Sequence, residues 1–269
     1  MESIKVLYIS QEITPYLPET EMSVIARNLP QGIQERGREI RTFMPRFGCI
    51  NERRNQLHEV IRLSGMNLII SDSDHPLIIK VASIQSARMQ VYFIDNEDYF
   101  QRKATIVDDS GQYFADNDER SIFFCRGVIE TVKKLRWSPD IIHCHGWFTS
   151  LIPIYIKKSY HDEPLFTNSK IVFSAYDNEF PGSLNAGFSK KLLFEGINDA
   201  DVKVAKDPSY DNVMKLAIQY SDGLICGSEK ISPEVLDFAQ KNKKKILPFQ
   251  QPDVYIDEYS KFYDTVLEE

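Results

Sequence analysis

The sequence predicts an α/β fold: a single Rossmann-like, doubly wound, mostly parallel sheet with a small antiparallel insertion. Three observations carry this. Apolar runs at 4–10, 141–144, 171–175 and 223–226 are continuous rather than alternating, as strands buried on both faces require. Segments with apolar residues at helical spacing lie between them. The resulting strand–helix–strand rhythm is that of βαβ units, which form parallel sheets with right-handed crossovers.

The elements follow in order. After strand 4–10 comes a loop with Pro15 and Pro18, then a helix over about 20–36. Thr20 is its expected N-cap, and Met22, Ile25, Leu29 and Ile33 share one face. Pro30 predicts a kink, Gly37 a stop, and 38–44 the next strand. Residues 57–94 break the rhythm. Short apolar runs at 58–63, 68–71, 77–84 and 91–94 are closely spaced, which predicts hairpins and an antiparallel insertion over about 57–90 that returns to the main sheet. A helix over 117–135, a strand at 141–144, a helix over 147–158 with Pro153 inside it and a strand at 171–175 resume the alternation. An irregular segment covers 177–209. Helix 211–220, strand 223–226 and a helix from Ser232, with Pro233 in its first turn, complete the unit.

Residues 253–269 place Val254, Tyr255, Tyr259, Phe262, Tyr263 and Val266 at helical spacing, a closing helix expected to be a natural terminus. No repeat, low-complexity tract or Gly/Ser linker divides the chain. The expected organisation is one domain over 1–252 plus that helix.

Composition excludes several classes. Hydrophobic residues make up 42% of the chain, enough for a packed core. No run of about 18 apolar residues suggests a membrane span, and the first residues lack the basic region of a signal peptide. Cys49, Cys125, Cys144 and Cys226 are scattered, which suits reduced thiols in a cytoplasmic protein rather than a disulfide or zinc framework. A net charge of −7 argues against a nucleic-acid partner. The basic run 241–245 is expected to be a solvated turn.

In an open parallel sheet, ligands bind beyond the carboxyl ends of the strands. The loops 10–19, 143–147 and 176–182 emerge there. His143-Cys144-His145-Gly146-Trp147 is the most chemically loaded piece. Two histidines could hold a metal, but no ligand set of recognised spacing accompanies them, so none is expected. The expectation is that they point to opposite faces, one to the core and one to the cleft. A cleft histidine serves as general acid or base, or as a donor to a sugar hydroxyl. Trp147 either stacks on a sugar ring or packs. Asp116 and Asn117 open a helix whose first turn holds Asp118 and Glu119, which reads as a cap with acids matched to the helix dipole. No GxGxxG loop, Walker A motif or G-x-S-x-G elbow is present.

Taken jointly, these pieces resemble the N-terminal domain of bacterial glycogen synthases and plant starch synthases, glycosyltransferase family 5. The likeness runs through VLYISQEITPY, ARNLPQGIQERGREIRTFMPRFG, FIDNEDYF, ADNDERSIFFCRGVIE, WSPDIIHCHGW and MKLAIQYSDGLICGS, most of residues 4–235. The resemblance implies one half of a GT-B fold, with the second GT-B domain absent from this chain and separately encoded. It implies glucosyl transfer from a nucleotide sugar such as ADP-glucose to an α-1,4-glucan, with retention and without metal or other cofactor. It makes Glu12, Tyr16, Asp116, Asn117, Arg120, His145, Trp147 and Lys215 the candidate substrate-binding residues, with none singled out as catalytic. Pro15 and Ser228 are also retained.

The departures carry equal weight. Where the family has K-T-G-G-L, this chain has Pro18, Glu19, Thr20, Glu21 and Met22, so a phosphate-binding cation is gone and two carboxylates are present. The last histidine of the family's H-A-H-D-W-H is Phe148, its aspartate is Gly146, and the family's T-V-H-N is Ser174-Ala175-Tyr176-Asp177. Three expectations stand: a transferase acting with a separate second half, a non-catalytic relative that binds a glucan or a partner, and an unrelated role on the same scaffold. Pro18, Glu21 and Phe148 favour the second; the retained Asp116-Asn117…Arg120 and His145…Trp147 pieces suit the first.

Overall fold

The computed structural model describes residues 3–268. Strand β1 (Lys5–Ser10) leads through a loop to helix α1 (Glu21–Glu35) and strand β2 (Glu39–Pro45). Thr20 caps α1 as expected: its hydroxyl accepts the Ser23 amide at 3.0 Å, and the Ser23 hydroxyl accepts the Thr20 amide at 2.8 Å. This reciprocal capping box satisfies two amides that the first helical turn would otherwise leave unpaired. Gly37 follows the helix at φ +84°, a conformation that favours glycine.

The insertion is antiparallel, as expected. Strands β3 (His58–Glu59) and β4 (Met66–Ile70) both pair with β5 (Ser73–Ile84), which pairs antiparallel with β6 (Met89–Asp95). Ser71 and Asp72 join β4 to β5 with φ of 48° and 65°. Two positive φ values suit the right-handed twist of a hairpin. Strand β6 then pairs parallel with β2, returning the chain to the main sheet.

Helices α2 (Glu97–Phe100) and α3 (Asn117–Leu135) precede strand β7 (Ile141–His145). The continuous helix expected over 147–158 is not formed. A 3-10 turn at Trp147–Thr149, the short helix α4 (Ile152–Ile154) and a π-turn at Tyr155–Ser159 take its place. Pro153 has no amide to donate to the carbonyl four residues earlier, so the regular ladder breaks there. Strand β8 (Lys170–Ala175) follows, then an irregular stretch holding only α5 (Phe188–Lys191) and a 3-10 turn. Helix α6 (Tyr210–Gln219), strand β9 (Gly223–Cys226), helix α7 (Pro233–Lys241), strand β10 (Lys245–Leu247) and helix α8 (Tyr255–Leu267) complete the order.

The expected solvated turn holds for 241–243, which are exposed with a turn at Asn242 and Lys243, whereas Lys244 and Lys245 are half-buried and lead into β10. Lys245 opens the strand, and the Lys244 ammonium donates to the carbonyls of Gln219 and Ser221 at 3.0 and 2.7 Å.

The sheet has ten strands in the order β10-β9-β8-β7-β1-β2-β6-β5-β3, with β4 on β5. Every pair from β10 through β6 is parallel. The order reverses between β1 and β7, where a crevice opens in such sheets.

Strand side chains alternate between two covered faces. Leu7, Ile9, Ile142, Cys144, Ile171 and Phe173 belong to one cluster, with Phe123, Phe124 and Leu216 from α3 and α6. Val6, Tyr8, Ile141 and Val172 belong to the other, with Leu29 and Ile33 from α1 and Tyr259, Phe262 and Tyr263 from α8. The four cysteines are free thiols, and all but Cys49 are buried. Among the described residues, no helix is long and apolar enough to cross a membrane.

Candidate functional site

At the β1/β7 reversal the two strand ends are tied together. The Gln11 amide donates to the His145 carbonyl at 3.4 Å, and the Phe148 amide donates to Gln11 Oε1 at 3.4 Å. Gly146 turns the chain out of β7 at φ +81°. A β-carbon added there would lie 2.6 Å from Met22 Cε, so the α1 methionine fills the space above the turn. Tyr176, at the end of β8, closes the next gap. Its hydroxyl bonds His145 Nδ1 at 2.7 Å, and its ring lies so near Gly227 that a β-carbon there would be 2.5 Å from Tyr176 Cε1.

The two histidines do not face opposite ways. Residues two apart on a strand share a face, and the rings of His143 and His145 lie 3.9 Å apart at 33°. Both are fully buried on the α8 side of the sheet. His143 bonds Tyr263 Oη at 2.5 Å through Nδ1 and Ser174 Oγ at 2.7 Å through Nε2. His145 Nε2 is buried without a partner. Burial pushes His145 down to about 3. It holds His143 well below the ordinary histidine value too, with the neighbouring His145 adding to the effect. Neither imidazole faces a cleft, and no group of three His, Cys, Asp or Glu side chains among the described residues is placed to hold a metal.

Trp147 resolves toward packing: it is fully buried, edge-on to Phe180 at 4.9 Å and to Phe148 at 5.3 Å. Phe148 is buried beside Phe47 and Phe124. Tyr16 is also a core residue, edge-on to Phe93 at 4.9 Å, with its hydroxyl unpartnered and pushed up to about 12 by burial.

The carboxylates on the loop after β1 lie nearer the surface. Glu12 accepts the Thr20 hydroxyl at 2.7 Å, and burial raises its carboxyl above the usual range. Glu21 accepts the Ser228 hydroxyl, which in turn accepts the Asp177 amide at 2.9 Å. One serine thereby ties the loops after β1, β8 and β9. Glu19 is exposed.

A second cluster sits where α3 begins. Asp116 stands at the N-cap but makes no capping bond, contrary to the cap reading; its carboxylate takes Arg102 at 2.9 and 2.5 Å. A bidentate guanidinium outcompetes a helix amide for an ionised carboxylate. Asn117 donates to the Ile106 carbonyl at 2.8 Å and accepts Arg120 Nη1 at 2.6 Å. Arg120 is fully buried and donates to the Tyr99 carbonyl at 2.7 Å, with its Cζ 5.3–5.5 Å from the rings of Phe47, Phe100 and Phe114. Burial, with Arg102 nearby, pushes its guanidinium down to about 9.

Lys215 lies apart from both clusters. It pairs with Glu234 at 2.7 Å and braces α6 on α7. The structure thus brings Glu12, His145 and Trp147 to the strand reversal and gathers Asp116, Asn117 and Arg120 at the start of α3. The sequence reading did not foresee Gln11, Arg102 or Tyr263 as partners. Their pairings span 14 to 137 positions, and no local pattern signals such contacts.

A parallel sheet wound on both faces, reversing at a loop-lined crevice and edged by an antiparallel insertion, is a Rossmann-type domain with the architecture of one half of a GT-B fold. The chain belongs to the starch synthase catalytic domain family, whose model matches residues 5–247. It is 35% identical over 233 residues to a glycogen synthase of Chlorobium luteolum, covering 86% of this chain and 47% of that protein. A glycogen synthase of Chlorobium limicola is 33% identical over 235 residues, covering 87% of this chain and again 47% of the relative. The chain therefore spans about half the length of the curated relatives it matches. Among solved structures, the catalytic domain of starch synthase IV from Arabidopsis thaliana, bound there to ADP and acarbose, superposes with a TM-score of 0.74 at 17% identity. That match covers 93% of this chain and 52% of the other and establishes the shared fold.

Proposed function

We propose that this chain serves α-glucan metabolism as the acceptor-side half of a glycogen or starch synthase-type glucosyltransferase, and that it does not transfer glucose alone. In this reading the second half of the GT-B fold brings the nucleotide sugar, ADP-glucose being the family's usual donor, and the setting is the cytoplasm. The observation that carries the reading is the loop after β1. The positions where the family holds donor phosphates present Glu19 and Glu21 here, and Met22 fills the space over Gly146. A unit charge about 4 Å from another contributes on the order of 4 kcal/mol at an effective dielectric of 20. Reversing its sign weakens donor binding by orders of magnitude.

Glu12, at the rim of the crevice, remains the candidate closest to an incoming sugar. Tyr16, Asp116, Asn117, Arg120, His145, Trp147 and Lys215 support the reading as scaffold, since each is engaged or buried. The sealed crevice favours a second reading, a non-catalytic relative that binds a glucan or a partner enzyme. Calorimetry of the purified chain against ADP-glucose, UDP-glucose and maltoheptaose tests both. Glucan binding without donor binding is expected, and glucosyl transfer by the isolated chain would overturn the claim of incompetence. Transfer restored by adding the C-terminal half of a related synthase supports the first reading over the second.

A further inference from the structure

A different face of the molecule holds a buried guanidinium that no carboxylate neutralises. Arg126, in the middle of α3, is 8% exposed and makes no ion pair among the described residues. Its Nη1 donates to the Ile69 carbonyl at 2.6 Å, its Cζ lies 3.9 Å from the centroid of the Phe194 ring, and its Nε is buried without a partner. Glu130, one turn further along α3, is engaged by Tyr160 at 2.6 Å and Lys133 at 3.3 Å. Buried charges are ordinarily paired, because an unpaired one forfeits its hydration with nothing in return.

Arg126 lines a pocket of about 470 Å³ between the β4–β5 hairpin, α3 and the segment around α5. Lys190 and Lys191 stand on the same wall, and Asp72 is the one carboxylate among the lining residues. Lys191 is held by Asp118 at 2.7 Å and Glu119 at 2.8 Å, so the available positive charge rests on Arg126 and Lys190. Ile69 and Leu193 line the pocket while remaining 61% and 41% exposed. A cationic floor under apolar walls, on a chain of net charge −7, selects an anion that carries a body of its own.

The geometry points to this pocket as a binding site for a small oxyanion, phosphate ester or carboxylate, borne on a sugar-sized or apolar body. The planar guanidinium would receive the oxyanion, Lys190 would add a second charge, and Ile69 and Leu193 would cover the body. The pocket shares no lining residue with the strand-reversal crevice, so the inference stands whether or not the chain takes part in glucosyl transfer.

Calorimetry at constant ionic strength tests it, with inorganic phosphate, glucose 6-phosphate and glucuronate as probes. Saturable binding of at least one probe in the millimolar range or tighter is expected, with the phosphate and carboxylate probes distinguishing the two anion types. Arg126→Gln should weaken it by at least about tenfold, the loss of one charge-assisted hydrogen bond. Lys190→Glu, at an exposed position, should weaken it several-fold while leaving the melting temperature unchanged. If Arg126→Gln does not fold, Lys190→Glu decides. Absence of saturation by all three probes, or binding that Lys190→Glu leaves unchanged, overturns the proposal.

Discussion

The two faces of the sheet are sealed by different chemistry. Under α3, α4 and α6 the cover is mainly apolar, with Phe47, Phe100, Phe123, Phe124 and Phe148 buried together and the Arg120 guanidinium set against two of these rings. Under α8 a polar seam runs through the same layer: Tyr8 to Tyr263 at 3.3 Å, Tyr263 to His143, and His143 to Ser174. Next to it, Tyr176 closes on His145. An apolar face is held by volume and tolerates a change of shape if the space is refilled. A buried polar seam is held by partnership, so deleting one atom strands another.

The largest expected effect breaks the apolar face. Phe124→Ala should cost about 3–5 kcal/mol, read as a shift of the urea midpoint without a change in slope. Tyr263→Phe removes a single oxygen from the polar face and nearly conserves volume, yet it leaves His143 Nδ1 and Tyr8 Oη short of a partner. Its expected cost is about 1–3 kcal/mol. A loss below about 0.5 kcal/mol in the same measurement would mean the seam is held by packing after all.

Acidification separates the faces again. Folded, both imidazoles stay neutral, His145 down to about 3. Unfolded, they take up protons below about pH 6.5. The unfolded chain then binds more protons, so stability falls as pH drops from about 6.5 toward 3. The expected slope is about 1.4 kcal/mol per pH unit for each histidine. Urea titrations at pH 7, 6 and 5 check this, and His145→Asn should reduce the slope. The smallest effect lies away from both faces: Lys215→Ala loses a partly exposed pair with Glu234, 17% and 68% exposed, and should cost under about 1 kcal/mol by thermal melting.

Much of the scaffold was legible because its cause is local. Residues 117–135 form α3 at the expected bounds, and Thr20 caps α1 as read. The buried strands announced themselves through continuous apolar runs. Strand β10 did not, because three half-buried residues after a lysine run carry no period. The candidate site was less legible. The motif around His143 and His145 was visible, but its orientation follows from the period of two along a strand, which puts both rings on one face. Neither the close approach of those rings nor their partners, Tyr263 on α8 for His143 and Tyr176 after β8 for His145, 120 and 31 positions away, leaves a trace in the local sequence. Arg120 shows the same limit. Its spacing from Asp116 suggested a site, whereas its surroundings of three aromatic rings make it a buried strut.

Gly146 and Met22 show how tightly the strand-reversal crevice is filled. A side chain at 146 would meet the methionine methyl at 2.6 Å and would have to adopt φ +81°. Shrinking residue 22 alone would leave a void over the glycine, and enlarging residue 146 alone would collide with Met22. Tyr176 and Gly227 stand in the same relation. Each pair interlocks: any side chain added at position 146 or 227 needs a smaller or displaced residue at 22 or 176, so enlarging either glycine calls for two changes at once.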